Sequence, residues 1–348
     1  MATACILQQN ACVHLKSRHL EVSRANPETG KQEVLRSIPL HDLDRLIISE
    51  DAQMTSRALA RMLREDIPIS VLGWNDRFLG GFLPATPAQG SFRLNQYRRT
   101  LDSEFTLEVA RQWVTAKIYN QRRVLQRLDA ARRQHRDKNS DEMENVTARE
   151  TADDLGGYLK TVEAVRSIDE VRGLEGASTA RYFRAWSTFL PEGAIFGRRS
   201  TRPPLNAVNA CISFASTLLY HEAVTFLHSH GLDPSLGALH TTENRRWSLA
   251  LDLIEPFRPA VGESLTLDLF SRSILNPKEH FEHREGGVYL NDAGRKKFLL
   301  QYERRLERQF LSEHVGHRTT LRQQIENEAV QYKGALDTPE TLKPFRMN

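Results

Sequence analysis

In the first ninety residues the apolar positions fall in short runs, the spacing of strands rather than helices. The segments CVHL and HLEVS flank a brief polar break. ANPETGKQ carries the Pro, Asn and Gly of a turn, and EVLRSIPL and LDRLIIS are rich in Val, Ile and Leu. Thr55 or Ser56 is placed to cap a short helix to Glu65, with Ala58, Leu59, Met62 and Leu63 on one face. IPISVLGWNDRFLGGFLP then predicts a strand, a turn at Asn75–Asp76 and a return strand. Pro84, Pro87 and Gly90 mark a linker.

From about residue 91 the period lengthens. In LEVARQWVTAKIYNQRRVLQRLDAARRQ, Val109, Trp113, Ala116, Asn120, Val124 and Leu128 recur at steps of three or four. Arg111, Lys117, Arg122, Arg123, Arg127, Arg132 and Arg133 take the other face. Helices are expected over 148–168, 174–189, 206–229, 243–255 and 290–312. The pattern describes an α+β chain. An N-terminal β-rich, sandwich-like domain (1–90) precedes a larger all-α domain (91–335), and a polar, proline-containing tail (336–348) is expected to be flexible.

A length of 348 residues suits two domains, and 40% hydrophobic with 26% charged residues suits an ordinary globular protein. No apolar run approaches the ~18 residues that span a bilayer. MATACILQQNACVHL lacks the basic start, apolar core and cleavage site of an export signal, so a cytoplasmic location is expected. Cys5, Cys12 and Cys211 fit neither a disulfide framework nor a zinc spacing. Net charge is +4 but unevenly spread: eleven Lys/Arg against four acids over 91–136, and six against two over 172–202. Clustered cations of this kind suit a phosphate-rich partner, and equally suit solvated helix faces.

Three segments carry candidate chemistry. GLEGASTARYFRAWSTFLP sets Glu175 between glycines at a predicted helix start, beside Arg172, Arg181, Tyr182 and Arg184. GRRSTRPPLNAVNACISFASTLLYHEAVTFLHSH begins an apolar helix near Asn206, and its His221, His228 and His230 are expected to face solvent or cap the end. GALHTTENRRWSLALDLIEPFRP places His240 after a glycine-bearing turn, with Asp252 and Glu255 on one helix face among leucines. Two carboxylates in apolar company need a compensating cation, whether Arg245, Arg246, Arg258 or a divalent metal. One imidazole with carboxylates suits Mn²⁺ or Mg²⁺. The phosphate-binding GxxxxGK[ST], the dinucleotide GxGxxG and the nucleophile-bearing GxSxG are all absent from the sequence.

The blocks GLEGASTARYF, RRSTRPPLNAVNACISFASTLLY, GALHTTENRRWSLALDLIEPFRP and GGVYLNDAGRKKFLLQYERRL occur in that order. Together with SIPLHDLDRLII they resemble the CRISPR-associated spacer-acquisition integrase family, the universal metal-dependent DNA endonuclease/integrase of CRISPR adaptation. The resemblance implies a β-rich N-terminal domain that dimerises and a helical catalytic domain. It also implies a divalent ion, Mn²⁺ or Mg²⁺, held by Glu175, His240 and Glu255, with Asp252 a supporting residue of the site. Because Pro256 breaks the helix at Glu255, Asp252 sits one turn back as an orienting partner, and its amide variant is expected to keep some activity, recoverable in part by raising Mn²⁺. The implied partners are double-stranded DNA (prespacer and CRISPR repeat), a second copy of the chain and a small ferredoxin-like companion. Arg181, Arg184, Arg198, Arg199, Arg202 and Arg245 are candidate DNA-backbone contacts. Asn206 stands where many members have aspartate, and SFAS lacks a tyrosine often found there. Two alternatives remain: a non-catalytic basic DNA-binding scaffold, and a branched-DNA repair nuclease using the same site.

Overall fold

The computed structural model describes residues 3–26, 29–73, 78–85, 90–134, 143–244 and 246–348. The turn expected at Asn75–Asp76, the linker residue Pro87 and the candidate DNA contact Arg245 lie outside them. The chain divides into two compact units, Met1–Ala88 and Gln89–Asn348.

The first unit contains strands β1 (Thr3–Ile6), β2 (Cys12–Lys16), β3 (His19–Ala25), β4 (Gln32–Pro39), β5 (Arg45–Ser49) and β6 (Gln53–Met54). Helix α1 (Ser56–Arg64) follows, then β7 (Ile69–Leu72) and β8 (Phe78–Phe82). They form two four-stranded sheets, ordered β1-β5-β7-β8 and β4-β3-β2-β6. β5 lies between parallel neighbours β1 and β7, and its Arg45–Ile48 run is buried throughout, as an inner parallel strand requires. β3 turns Leu20 and Val22 inward by ordinary alternation. Thr55 caps α1 by accepting from Ala58 N, and Ala58 and Met62 join residues of both sheets in one core.

The second unit begins with α2 (Gly90–Leu101), α3 (Ser103–Gln134) and α4 (Met143–Ala164). Next come α5 (Ile168–Trp186), α6 (Ala207–Ser229), α7 (Ser248–Ile254), a π-helical segment (Arg258–Glu263) and α8 (Ser264–Ser271). The hairpin β9 (Phe281–Arg284) and β10 (Gly287–Leu290) precedes α9 (Asp292–Glu307). A two-stranded ribbon of β11 (Phe310–Leu311) and β12 (Arg318–Thr319) leads to α10 (Leu321–Ala335). The fold is α+β, with strands concentrated in the first unit and helices in the second.

Several local expectations change. The break before Glu175 falls at 165–167, because Ser167 accepts from Glu170 N while Glu170 accepts from Arg166 N. Gly173 and Gly176 are carried inside α5, so Glu175 is two turns into the helix rather than at its start. Helix α6 is long and apolar enough to cross a membrane, yet 72% of its most apolar window is buried in the unit. His221 is buried on it, contrary to the expectation of a solvent-facing ring, while His228 packs edge-on to Trp247 and His230 caps the helix end. Asn206 is the N-cap of α6, accepting from Asn209 N at 2.8 Å, a position that Asn and Asp both fill well. Buried Arg322 joins α10 to Glu222 on α6 and to Glu303 and Glu307 on α9.

The 336–348 segment, expected to be loose, is packed instead. Phe345 is 2% exposed and stacks on Phe257 with centroids 4.7 Å apart. Its carbonyl accepts from Asn120 Nδ2, and its N–H donates to Glu328. Its polar composition reports the exposed positions, while Leu342 and Phe345 are buried in the helical core.

Candidate active site

Helix α7 and the loop before it build one half of the site. Asp252, fully buried, accepts four hydrogen bonds: Ala238 N at 2.7 Å, Leu239 N and His240 N at 2.9 Å, and His240 Nδ1 at 2.5 Å. Three converging N–H groups fold the loop around the carboxylate, as a helix N-terminus holds an anion. Gly237 permits this approach, since a Cβ there would lie 2.5 Å from His240 O and 2.6 Å from Ser248 Cβ. With a carboxylate accepting at Nδ1, the imidazole carries its proton there and keeps Nε2 as a lone-pair donor.

Glu255 follows directly. α7 ends at Ile254 and Glu255 is its C-cap, which agrees with the break expected from Pro256. The residue nevertheless keeps a helical backbone (φ −54, ψ −45), because a π-helical turn continues the path beyond it. Asn120 of α3 secures that corner by donating to Pro256 O at 2.7 Å.

Glu175 enters from α5, where Thr179 donates to its Oε1 at 3.2 Å. One turn earlier Arg172 donates to Leu239 O at 2.7 Å and to Thr241 Oγ1 at 3.1 Å. The helix that presents Glu175 thereby holds the loop that presents His240.

Between the carboxylates stands Lys117 of α3, which the sequence pattern assigned to an outer basic face. Its side chain is 5% exposed; Nζ contacts Glu175 Oε1 and lies 2.6 Å from Glu255 Oε2. Arg258 Nε donates to the other oxygen of Glu255 at 2.8 Å, and its NH1 reaches Ser216 Oγ of α6 at 3.0 Å. Of the compensators the sequence offered that lie among the described residues, Arg258 pairs with Glu255, and Lys117 is an addition. Arg246 pairs with Glu243 instead. Burial opposes ionisation of Glu255, but Arg258 and Lys117, with His240 close enough to act on the charge, outweigh it and hold the carboxyl down to about 2. Behind them, burial pushes the Glu263 carboxyl up to about 7. The Tyr182 hydroxyl beside it is also raised, by burial and then by the Glu263 charge.

Lys117 gave only a faint signal, a step of four from Trp113 and three from Asn120, which puts a cation at the edge of the apolar stripe. As the side chains stand, no three His, Cys, Asp or Glu among the described residues are grouped to hold a metal ion. Lys117 fills the space between two of the expected ligands. The donor set still suits a hard divalent cation, with two carboxylates already converged on one positive charge and an imidazole oriented for Nε2. Glu175 and His240 each keep 26% of the side chain exposed against 5% for Glu255, so the site opens on their side.

The candidate DNA contacts separate. Arg184, Arg198 and Arg202 are exposed, and Arg181 is half-exposed and paired with Asp154. Arg199 turns inward, bonded to Ser200 O, Asn209 Oδ1 and Ser213 Oγ; burial first, then Arg258, lowers its guanidinium to about 10. Much of the basic face of α3 is likewise docked. Arg122 bonds Ala152 O, Arg123 and Arg127 bond Asn348 O, and Arg132 bonds Thr188 O.

A family model described as CRISPR associated protein Cas1 matches residues 4–304. The CRISPR-associated endonuclease Cas1 of Methanothermobacter thermautotrophicus is 31% identical over 276 residues, covering 79% of this chain and 76% of that one. A CRISPR-associated endonuclease Cas1 of Thermodesulfovibrio yellowstonii is 32% identical over 275 residues, covering 78% and 83%. Among solved structures, a Cas1 protein from Thermotoga maritima is similar over the whole of both chains, with a TM-score of 0.77 and 25% identity. A casposase bound to its integration product shares the fold, with a TM-score of 0.81 at 21% identity over 97% of this chain and 91% of the other.

Proposed function

This chain belongs to the CRISPR-associated protein Cas1 family, and from that membership we propose that it is a metal-dependent DNA endonuclease/integrase of CRISPR adaptation, joining the 3′-hydroxyl ends of prespacer DNA to the CRISPR repeat. The observation that carries the reading is the convergence of Glu175 and Glu255 on one cation beside an imidazole fixed by Asp252. Glu175, His240 and Glu255 would hold Mn²⁺ or Mg²⁺. A divalent ion supplies a lowered pKa for a bound hydroxyl and stabilises charge on the attacked phosphate.

The protein's own groups set the conditions. Asp252 keeps Nε2 of His240 available, Arg172 holds the His240 loop to α5, and Arg258 keeps Glu255 ionised despite its burial. Arg184, Arg198 and Arg202, with Arg181, provide exposed charge for phosphate contacts that give affinity without sequence information. The proposed working unit is a homodimer, paired through the β-rich first unit and acting with a small companion protein. A relative of the fold occurs in a structure titled Cas6-RT-Cas1–Cas2 complex.

The test is incubation of the purified chain, with and without its companion, with a short duplex and a repeat-bearing plasmid in Mn²⁺. Strand cutting or joining that disappears with EDTA, and in Glu175→Ala, His240→Ala and Glu255→Ala, is the expected result. Products that persist with EDTA, or in any of the three variants at limiting Mn²⁺, overturn the assignment. DNA binding with no cutting or joining under any metal condition would establish the scaffold alternative.

A further inference from the structure

The chemistry assigned to Glu175 and Glu255 leaves Lys117 without a role. Its hydrogen bonds go to the two carboxylates, whereas Arg258, the other cation on Glu255, has a second anchor at Ser216 Oγ. Both oxygens of Glu255 are thus taken by cations, and among the described residues the hydrogen-bond partners of Lys117 are the two carboxylates of the site. A divalent ion takes carboxylate oxygens at roughly 2.0–2.6 Å, which is the volume the ammonium fills. The two cannot occupy it together.

Resting on the reading of Glu175, His240 and Glu255 as a divalent-ion site, we propose that Lys117 is a positioning residue: it holds the two carboxylates together in the metal-free protein and is displaced when the ion binds. Two carboxylates this close repel when nothing lies between them, and without Lys117 the buried charge of Glu255 would be left to Arg258. The ammonium keeps the site converged, and in doing so it competes with the metal for the same oxygens. A compact charge on a flexible four-carbon stem suits such a temporary counter-ion, because it can swing clear toward the open side at Glu175 without moving the backbone.

The experiment is Mn²⁺ titration of the full chain without DNA, read by calorimetry and by the electron paramagnetic resonance of free Mn²⁺, together with melting in EDTA. Lys117→Met, nearly isosteric and neutral, should bind Mn²⁺ at least tenfold more tightly than wild type. It should also melt lower in EDTA, with the gap closing at saturating Mn²⁺. Lys117→Arg keeps the charge and should keep the weak affinity. A merely structural lysine predicts weaker or unchanged Mn²⁺ binding in Lys117→Met, and either result overturns the proposal. Should Lys117→Met fail to fold, wild type still decides. Acetylation of Lys117 by an amine-reactive ester, followed by peptide mass spectrometry, should be faster in saturating Mn²⁺ than in EDTA, and equal rates overturn the displacement. Mn²⁺ binding by neither wild type nor Lys117→Met sinks the metal reading of the site, and this proposal with it. Equal binding by both sinks the role of Lys117 alone.

Discussion

Replacing Asp252 with asparagine removes one negative charge and changes little volume, yet the structure assigns it a large effect. One oxygen of Asp252 accepts from Ala238 N and Leu239 N, and the other from His240 N and His240 Nδ1. Asparagine has a single carbonyl oxygen, so it can keep one pair of these bonds. Its amide N–H groups then face the other two donors. Losing two hydrogen bonds to a charged, fully buried acceptor corresponds to about 3–6 kcal/mol. For a unit the size of Gln89–Asn348, each kcal/mol moves the melting temperature by about 2–4 °C, so a fall on the order of 10 °C is expected. Function should suffer separately. If the amide nitrogen faces the ring, His240 Nδ1 becomes the acceptor and the proton moves to Nε2, the nitrogen needed for the ion. The partial, Mn²⁺-recoverable activity that the sequence suggested for Asp252→Asn is therefore replaced by an expectation of loss. Thermal melting in EDTA isolates the structural part, and metal-dependent cleavage at 10 °C below the variant's own melting temperature isolates the rest. A melting temperature within 2 °C of wild type would refute the reasoning, because it would mean that the four bonds do not hold the loop.

Stability of the helical unit should fall as pH rises from about 4.5 to about 7. Burial raises the Glu263 and Glu328 carboxyls to about 7 against 4.5 when unfolded, so the folded chain binds protons that the unfolded chain releases. Each contributes about 3 kcal/mol at most, and Glu263→Gln should visibly flatten the curve of melting temperature against pH; an unchanged curve would mean that Glu263 does not titrate there. Changing Arg184, Arg198 and Arg202 together to alanine should reduce the slope of log affinity against log salt for duplex DNA by up to ~0.9 for each phosphate that is no longer neutralised. Arg199→Ala should instead lower the melting temperature, since its guanidinium is bonded inside the fold; a changed salt slope at unchanged stability would contradict that placement.

The amino-acid sequence by itself determined the division into a strand-rich and a helix-rich unit, because the periods of two and of three to four are properties of neighbouring residues. It also determined the local devices: Thr55 as a cap, the end of α7 before Pro256, and the compact loop opened by Gly237. The ordered blocks singled out Glu175, His240, Asp252 and Glu255, since chemistry of this kind demands particular residue types at fixed local spacing. What joins those blocks was decided by the tertiary structure alone. Lys117 meets Glu175 across 58 positions and Glu255 across 138, and no local pattern records such a contact. The inward turn of Arg199 and the docking of the α3 arginines onto carbonyls belong to the same class. A long cationic side chain suits water and a buried carboxylate equally well, so its sequence position does not reveal which it meets. The 336–348 segment follows the same logic: its polar composition suggested a loose tail, and Phe257, Asn120 and Glu328, distant in sequence, hold Phe345 in the core.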